Sequence, residues 1–287
     1  MKQYKIGNVV FNINSIIDEN QNYKIDIFEN IHMEEEDVAY NIIYLDKFPN
    51  NIETQIYKSV NYIVTKDHVT NKFIRMYTTF ENDCYAKLVC INEKTYNLYA
   101  LNNYKYKIST KLRLFNHLAL EKVFIKYNSF ILHSSFIIDD NKAILFSAPS
   151  GTGKSTQASM WNKYRNSSII NGDRSLIKKE EGSWISYGLP FSGSSEYCKN
   201  KSAKIEAIVL LEQSKINSIE LCNKSYAIKQ LFGEISVNSW DIDFIDKILE
   251  LLDDLTNKVP VFKLACRVDE DAINLLESEI EKTGDIS

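Results

Sequence analysis

Short alternating runs of apolar and polar residues fill the chain from Gln3 to about Leu101. They include Val9-Val10-Phe11, Tyr23-Lys24-Ile25-Asp26-Ile27-Phe28, Ala39 to Tyr44, Tyr62-Ile63-Val64, Phe73 to Tyr77, Tyr85 to Cys90 and Tyr96 to Tyr99. A period of two, broken by Asn, Asp, Glu and Lys clusters, predicts an antiparallel sheet. From Leu112 to Tyr127 the period changes. Leu112, Phe115, Leu118 or Ala119, Val123 and Tyr127 fall on one helical stripe, predicting a helix that joins two parts of the chain.

Beyond it, strand and helix patterns interleave. Phe130 to Ile138 reads as a strand that turns at Asp139-Asp140-Asn141 into Ala143-Ile144-Leu145-Phe146. A helix follows from Ser155 to Arg165, then extended segments at Ser168 to Ile170, Trp184 to Tyr187 and Ile205 to Leu211. Asp241 to Asn257 carries Ile242, Ile245, Leu249, Leu252 and Leu255 on one helical face and stops before Pro260. A strand at Val261 to Ala265 and a helix capped by Asp269 and running to about Lys282 complete the pattern. Interleaved strands and helices predict an α/β domain behind a β-rich one, divided as 1–108 and 109–287.

The stretch Ala148-Pro149-Ser150-Gly151-Thr152-Gly153-Lys154-Ser155-Thr156 lies between a predicted strand and a predicted helix. That is the setting of a phosphate cradle, the P-loop or Walker A motif, in which backbone N–H groups converge at a helix N-terminus. Gly151 and Gly153 permit the turn, Lys154 neutralises β- and γ-phosphates, and the Ser155 hydroxyl is suited to Mg²⁺. Ser150, Thr152 and Thr156 complete the cradle. Ala148 replaces the first glycine of the pattern, which requires it to keep φ out of the left-handed region. Asp173, in Ile170-Asn171-Gly172-Asp173-Arg174, is the downstream carboxylate that such a metal needs, although Asn-Gly-Asp also reads as a plain turn. Arg174 suits phosphate or a surface carboxylate equally.

Composition changes little. Hydrophobic residues at 44% and charged residues at 25% are those of a globular protein, and a net charge of −4 gives no global pull toward nucleic acid or an anionic membrane. The N-terminus reads as a strand and no apolar run reaches bilayer length, so a cytoplasmic protein is expected. Five cysteines without paired spacing and four scattered histidines predict neither a disulfide framework nor a zinc site.

Leu132-His133, then Pro149 to Ser155, then Asp173-Arg174 occur in an order that resembles HPr kinase/phosphorylase and its peptide-kinase relatives. The resemblance covers roughly residues 130 to 212. It implies an HPr-kinase/PEP-carboxykinase-like P-loop domain and an ATP- and Mg²⁺-dependent kinase acting on a serine or threonine hydroxyl of a peptide or protein. Relatives found beside lasso-peptide and other modified-peptide genes phosphorylate a serine of the precursor. Carried over, the resemblance makes His133 the active-site histidine and Asp173 the metal-side member of an Asp-Asp pair. Gly172 stands where the family has the aspartate that takes the hydroxyl proton. His133, or Asp173 in two roles, is then the substitute base. Two alternatives stay open: a nucleotide-binding scaffold that transfers nothing, and a kinase of a small hydroxyl compound such as free serine.

Tyr187 to Glu196 is a second Gly/Ser-rich loop, in which Ser192, Ser194 and Ser195 suit phosphate and Glu196 suits metal or a proton. Lys199, Lys201 and Lys204 form a small basic run that suits an acidic peptide or a solvated face. The β-rich part carries no catalytic pattern and is assigned to acceptor recognition or to homo-oligomer formation.

Overall fold

The computed structural model describes residues 1–15, 23–50, 52–193 and 195–284. They form a mixed α/β protein with two sheets, and the chain divides into two compact units, Met1–Val123 and Phe124–Ser287. Residues 109–123 thus belong with the first unit.

The first unit contains β1 (Lys2–Ile6), β2 (Val9–Asn14), α1 (Tyr23–Asp26), β3 (Val38–Leu45), β4 (Glu53–Lys58), β5 (Ile63–Asp67), β6 (Phe73–Thr78), β7 (Cys84–Cys90) and β8 (Thr95–Leu101). The short helices α2 (Lys111–Phe115) and α3 (Glu121–Phe124) follow. Its eight strands run in the order β1-β2-β3-β8-β7-β6-β5-β4. Gly7 and Asn8, at φ 57° and 60°, make the two-residue turn between β1 and β2.

Three expectations change here. The sheet is not wholly antiparallel, because β3 runs parallel to both β2 and β8. The segment Tyr23 to Phe28 is a helical turn rather than a strand. Only Ile25 and Phe28 are buried, three positions apart, while Tyr23 and Ile27 stay exposed. The helix over 112–127 is broken into α2, α3 and a 3₁₀ turn at Ile125–Tyr127. Ala119 lies at φ 48°, Tyr77 Oη donates to the His117 carbonyl (2.8 Å) and Tyr40 Oη to that of Leu118 (2.9 Å). Sheet tyrosines thus take two carbonyls that a continuous helix would use.

The second unit contains β9 (Ser129–Asp139), β10 (Lys142–Ser147), α4 (Lys154–Arg165), β11 (Ser168–Asn171), β12 (Arg174–Glu180), β13 (Ser183–Gly188), β14 (Ser202–Gln213), β15 (Ser218–Leu221), α5 (Lys224–Glu234), α6 (Ile242–Lys258), β16 (Val261–Cys266) and α7 (Glu270–Gly284). The sheet runs β10-β9-β12-β13-β14-β16-β15, with β11 beside β9. Because β10 also pairs in parallel with β14, strands β9, β10, β14, β13 and β12 close into a ring.

Both faces of this sheet are covered. Leu132, Leu145 and Ile208 pack under α5 and α6, while Ile144, Phe146 and Val209 pack under α4 and α7. Burial on both faces explains why β10 reads as a continuous apolar run. The buried stripe of α6 is Phe244, Ile248, Leu251, Leu252 and Leu255. Ile242 and Leu249 of the expected face point to solvent, 73% and 41% exposed. Residues 244, 248, 251 and 255 keep a spacing of four, three and four, and place an aromatic ring in the core. Among the described residues no helix is long and apolar enough to cross a membrane.

Candidate functional site

The loop from Ala148 to Gly153 joins the end of β10 to the start of α4. Gly151 (φ 82°) and Gly153 (φ 118°) occupy backbone conformations that L side chains avoid, and a Cβ on either would meet no atom within 4 Å. Ala148 is buried and is not among the residues with positive φ, so the first-glycine position tolerates it. The earliest bond inside α4 runs from the Gln157 N–H to the Gly153 carbonyl (2.9 Å). The N–H groups of Lys154, Ser155 and Thr156 therefore have no carbonyl within the helix, and no acidic residue lies in its first turn.

Lys154 is buried, and its ammonium donates to the carbonyls of Ala148 (2.7 Å) and Pro149 (3.2 Å). Burial depresses its pKa, against the opposing pull of Glu234 and Asp173. It makes no ion pair among the described residues. A buried cation held only by loop carbonyls, beside open space and an uncompensated helix end, fits a phosphate group.

His133 lies within β9 and Asp173 on the turn leaving β11. Asn171 builds that turn. Its fully buried amide oxygen accepts from the N–H groups of Asp173 (3.0 Å) and Arg174 (3.1 Å), and its Nδ2 donates to the carbonyls of Leu189 and Phe191 (2.9 Å each). The Ser134 N–H donates to the Asp173 carbonyl (3.0 Å), fixing the turn against β9. His133 Nε2 stands 3.5 Å from Asp173 Oδ1, and Nδ1 stands 2.9 Å from Glu234 Oε2 at the end of α5. Asp173 first, and Glu234 next, raise the histidine pKa against its partial burial. The same contact, helped by Arg174 and Lys154, holds the Asp173 carboxyl below the usual carboxylate range despite burial. Two carboxylates beside one imidazole favour its protonated form.

Ser155 Oγ donates to the Gly172 carbonyl (3.1 Å), which also accepts from Ser135 Oγ (2.9 Å). Ser155 and the Asp173 turn are thus adjacent, and a hydroxyl with one carboxylate suits a Mg²⁺ that takes its other ligands from phosphate and water. No group of three or more metal-binding His, Cys, Asp or Glu side chains occurs among the described residues. Arg174 is half exposed, with Nε 3.4 Å from Asp173 Oδ2. Ser150, Ser155 and Thr156 are exposed, and Thr152 is half-buried.

The second loop closes over the turn. Ser192 is buried, and Gly193 (φ 55°) lies so close to Asp173 that a Cβ there would be 2.8 Å from the carboxyl carbon. A Cβ on Gly172 would be 2.3 Å from Ser195 Oγ and 2.5 Å from its Cβ. Glu196 is exposed, as are Lys201 and Lys204, while Lys199 Nζ reaches Ser168 Oγ (3.0 Å). Ser194 lies outside the described residues.

Glu234, Ser135 and Gln213, whose Nε2 donates to the carbonyls of Thr152 (3.2 Å) and Gly151 (3.3 Å), join the site without any sequence signal, while Asn171 is marked in the sequence only as part of a turn. Glu234 is separated from His133 by 101 residues and is the last residue of α5.

No protein-family model and no curated protein sequence matches this chain. Among solved structures, the Hpr(Ser) kinase/phosphatase from Coxiella burnetii is similar to it at 12% identity over 54% of this chain and 98% of that one, with a TM-score of 0.31.

Proposed function

We propose that this chain is an ATP- and Mg²⁺-dependent kinase, built on an HPr-kinase-like P-loop domain, that moves the γ-phosphoryl group to a serine or threonine hydroxyl of a peptide or protein. The observation that carries the reading is the buried Lys154 ammonium at the start of α4, held by two loop carbonyls and facing the Asp173–His133–Glu234 chain. The order of Leu132-His133, the cradle and Asp173-Arg174 supports the same reading.

In this mechanism the amides of Lys154, Ser155 and Thr156 bind phosphate oxygens, and Lys154 leaves its two carbonyls to neutralise the β- and γ-phosphates. Ser155 and Asp173 would hold Mg²⁺, which supplies charge neutralisation on the transferring group. His133, tied by Glu234, orients Asp173. Asp173 takes the acceptor proton, a modest task because the loose transition state of phosphoryl transfer depends mainly on position and charge.

Lys154→Ala tests the reading. Losing one such donor lowers transition-state stabilisation by roughly 100-fold or more, so labelled phosphate transfer should fall by at least that factor. Unchanged transfer would refute the assignment.

A second reading, a nucleotide-binding scaffold, draws on the absent side chain at Gly172 and on Ser195 filling its space. Labelled ATP with candidate peptides separates the two, since a scaffold binds nucleotide and labels nothing.

A further inference from the structure

Gly172 and Gly193 sit on facing segments, and neither has room for a Cβ. At Gly193 the obstacle is the Asp173 carboxylate, and at Gly172 it is the side chain of Ser195. The two glycines let the 190s loop lie flush against the Gly172-Asp173 backbone. The loop itself is fixed by a reciprocal pair: the Ser195 N–H donates to the Ser192 carbonyl, and Ser192 Oγ to the Ser195 carbonyl, each at 2.9 Å. Ser195 Oγ accepts from the Tyr197 N–H (3.1 Å).

The point a Cβ of residue 172 would occupy is 2.3 Å from Ser195 Oγ and 3.9 Å from Ser155 Oγ. The two hydroxyls are therefore no farther apart than the sum of those lengths. Ser155 is the cradle hydroxyl next to which the transferring phosphate must lie if the kinase reading holds. The loop thus holds a serine hydroxyl of this chain beside the cradle hydroxyl, and a side-chain rotation with a loop shift would bring it to the roughly 3–3.5 Å from phosphorus needed for attack.

We infer that Ser195 is an acceptor in cis, a site of autophosphorylation that rests on the kinase reading above. In the step, a bond forms between Ser195 Oγ and the γ-phosphorus, and the bond from that phosphorus to the β,γ-bridging oxygen breaks. ADP leaves with the electron pair, and the hydroxyl proton passes to the Asp173 carboxylate, against which Gly193 packs.

The full-length protein is incubated at several concentrations with Mg²⁺ and γ-labelled ATP, phosphate is mapped by peptide mass spectrometry, and ATP binding is measured separately by calorimetry. The expected result is phosphate on Ser195 at a fractional rate that does not change on dilution, phosphothreonine at the same position in Ser195→Thr, and no label there in Ser195→Ala folded by circular dichroism. ATP binding without phosphate on the chain, phosphate only on other residues, label persisting in Ser195→Ala, or a fractional rate that rises with protein concentration overturns this inference and leaves the kinase reading standing. Absence of ATP binding overturns the kinase reading and this inference with it.

Discussion

Replacing Gly172 by alanine sets a methyl carbon 2.3 Å from Ser195 Oγ and 2.5 Å from its Cβ. Rotating the serine moves the hydroxyl but not the Cβ, so one backbone must give by roughly 1 Å to reach an ordinary carbon contact of about 3.5 Å. The 172 side is anchored by two hydroxyls on its carbonyl and by Asn171, so the 190s loop is the part that shifts. Overpacking of this kind costs about 1–3 kcal/mol. Against it, Gly172 lies outside the left-handed region, where alanine restricts the unfolded chain and gains about 0.4–1 kcal/mol. The net expectation is about 1–2 kcal/mol of destabilisation, which lowers the melting temperature of the second unit by roughly 2–8 °C. In a Ser195→Gly background both obstructing atoms are gone. There Gly172→Ala should become neutral or slightly stabilising, a change of sign that differential scanning calorimetry on the four proteins of the cycle detects. Equal effects of Gly172→Ala in the two backgrounds would refute the contact between these residues.

Glu234→Gln should move the NMR titration midpoint of His133 toward acid, because one of its two carboxylate partners loses its charge, and should lower phosphate transfer by about 10-fold as an outer partner of the site. The first unit should lose stability as pH falls below the ordinary histidine value of 6.5. His117 is held neutral by burial, with Nδ1 donating to the Arg113 carbonyl and Nε2 accepting from Tyr85 Oη, so its folded pKa is depressed and the unfolded chain binds the extra proton. Urea denaturation across pH 5 to 7 checks the slope, and a His117→Gln variant should flatten it. In α6, Phe244→Ala should cost about 3–5 kcal/mol while Ile242→Ala stays within about 0.5 kcal/mol, and equal values would contradict the buried face described above.

Local pattern made most strands of both units legible, as well as the cradle and the helices that follow Gly153, Asp241 and Asp269, but not β4, β12, β15 or α5. It failed where tertiary contacts outrank local preference. Tyr23 to Phe28 alternates like a strand, yet only Ile25 and Phe28 find a core. Tyr40 and Tyr77, distant in sequence, break the helix expected over 112–127. In α6 two apolar stripes compete, and volume rather than period chooses between them. At the site, Lys154, Ser155, Asp173 and His133 announce themselves through motif order. Glu234 does not, and Ser195 is marked only by the composition of its loop, because their relations to His133 and Gly172 exist only after α5 and the 190s loop have packed.

Gln213, at the end of β14, bonds the carbonyls of Gly151 and Thr152. Each peptide plane carries its N–H opposite its C=O, so holding the Thr152 oxygen turns the Gly153 N–H away from Gln213 and hinders that plane from flipping. A flipped plane would offer carbonyl oxygens and welcome a cation. The far end of a neighbouring strand therefore helps to set which backbone groups the loop presents.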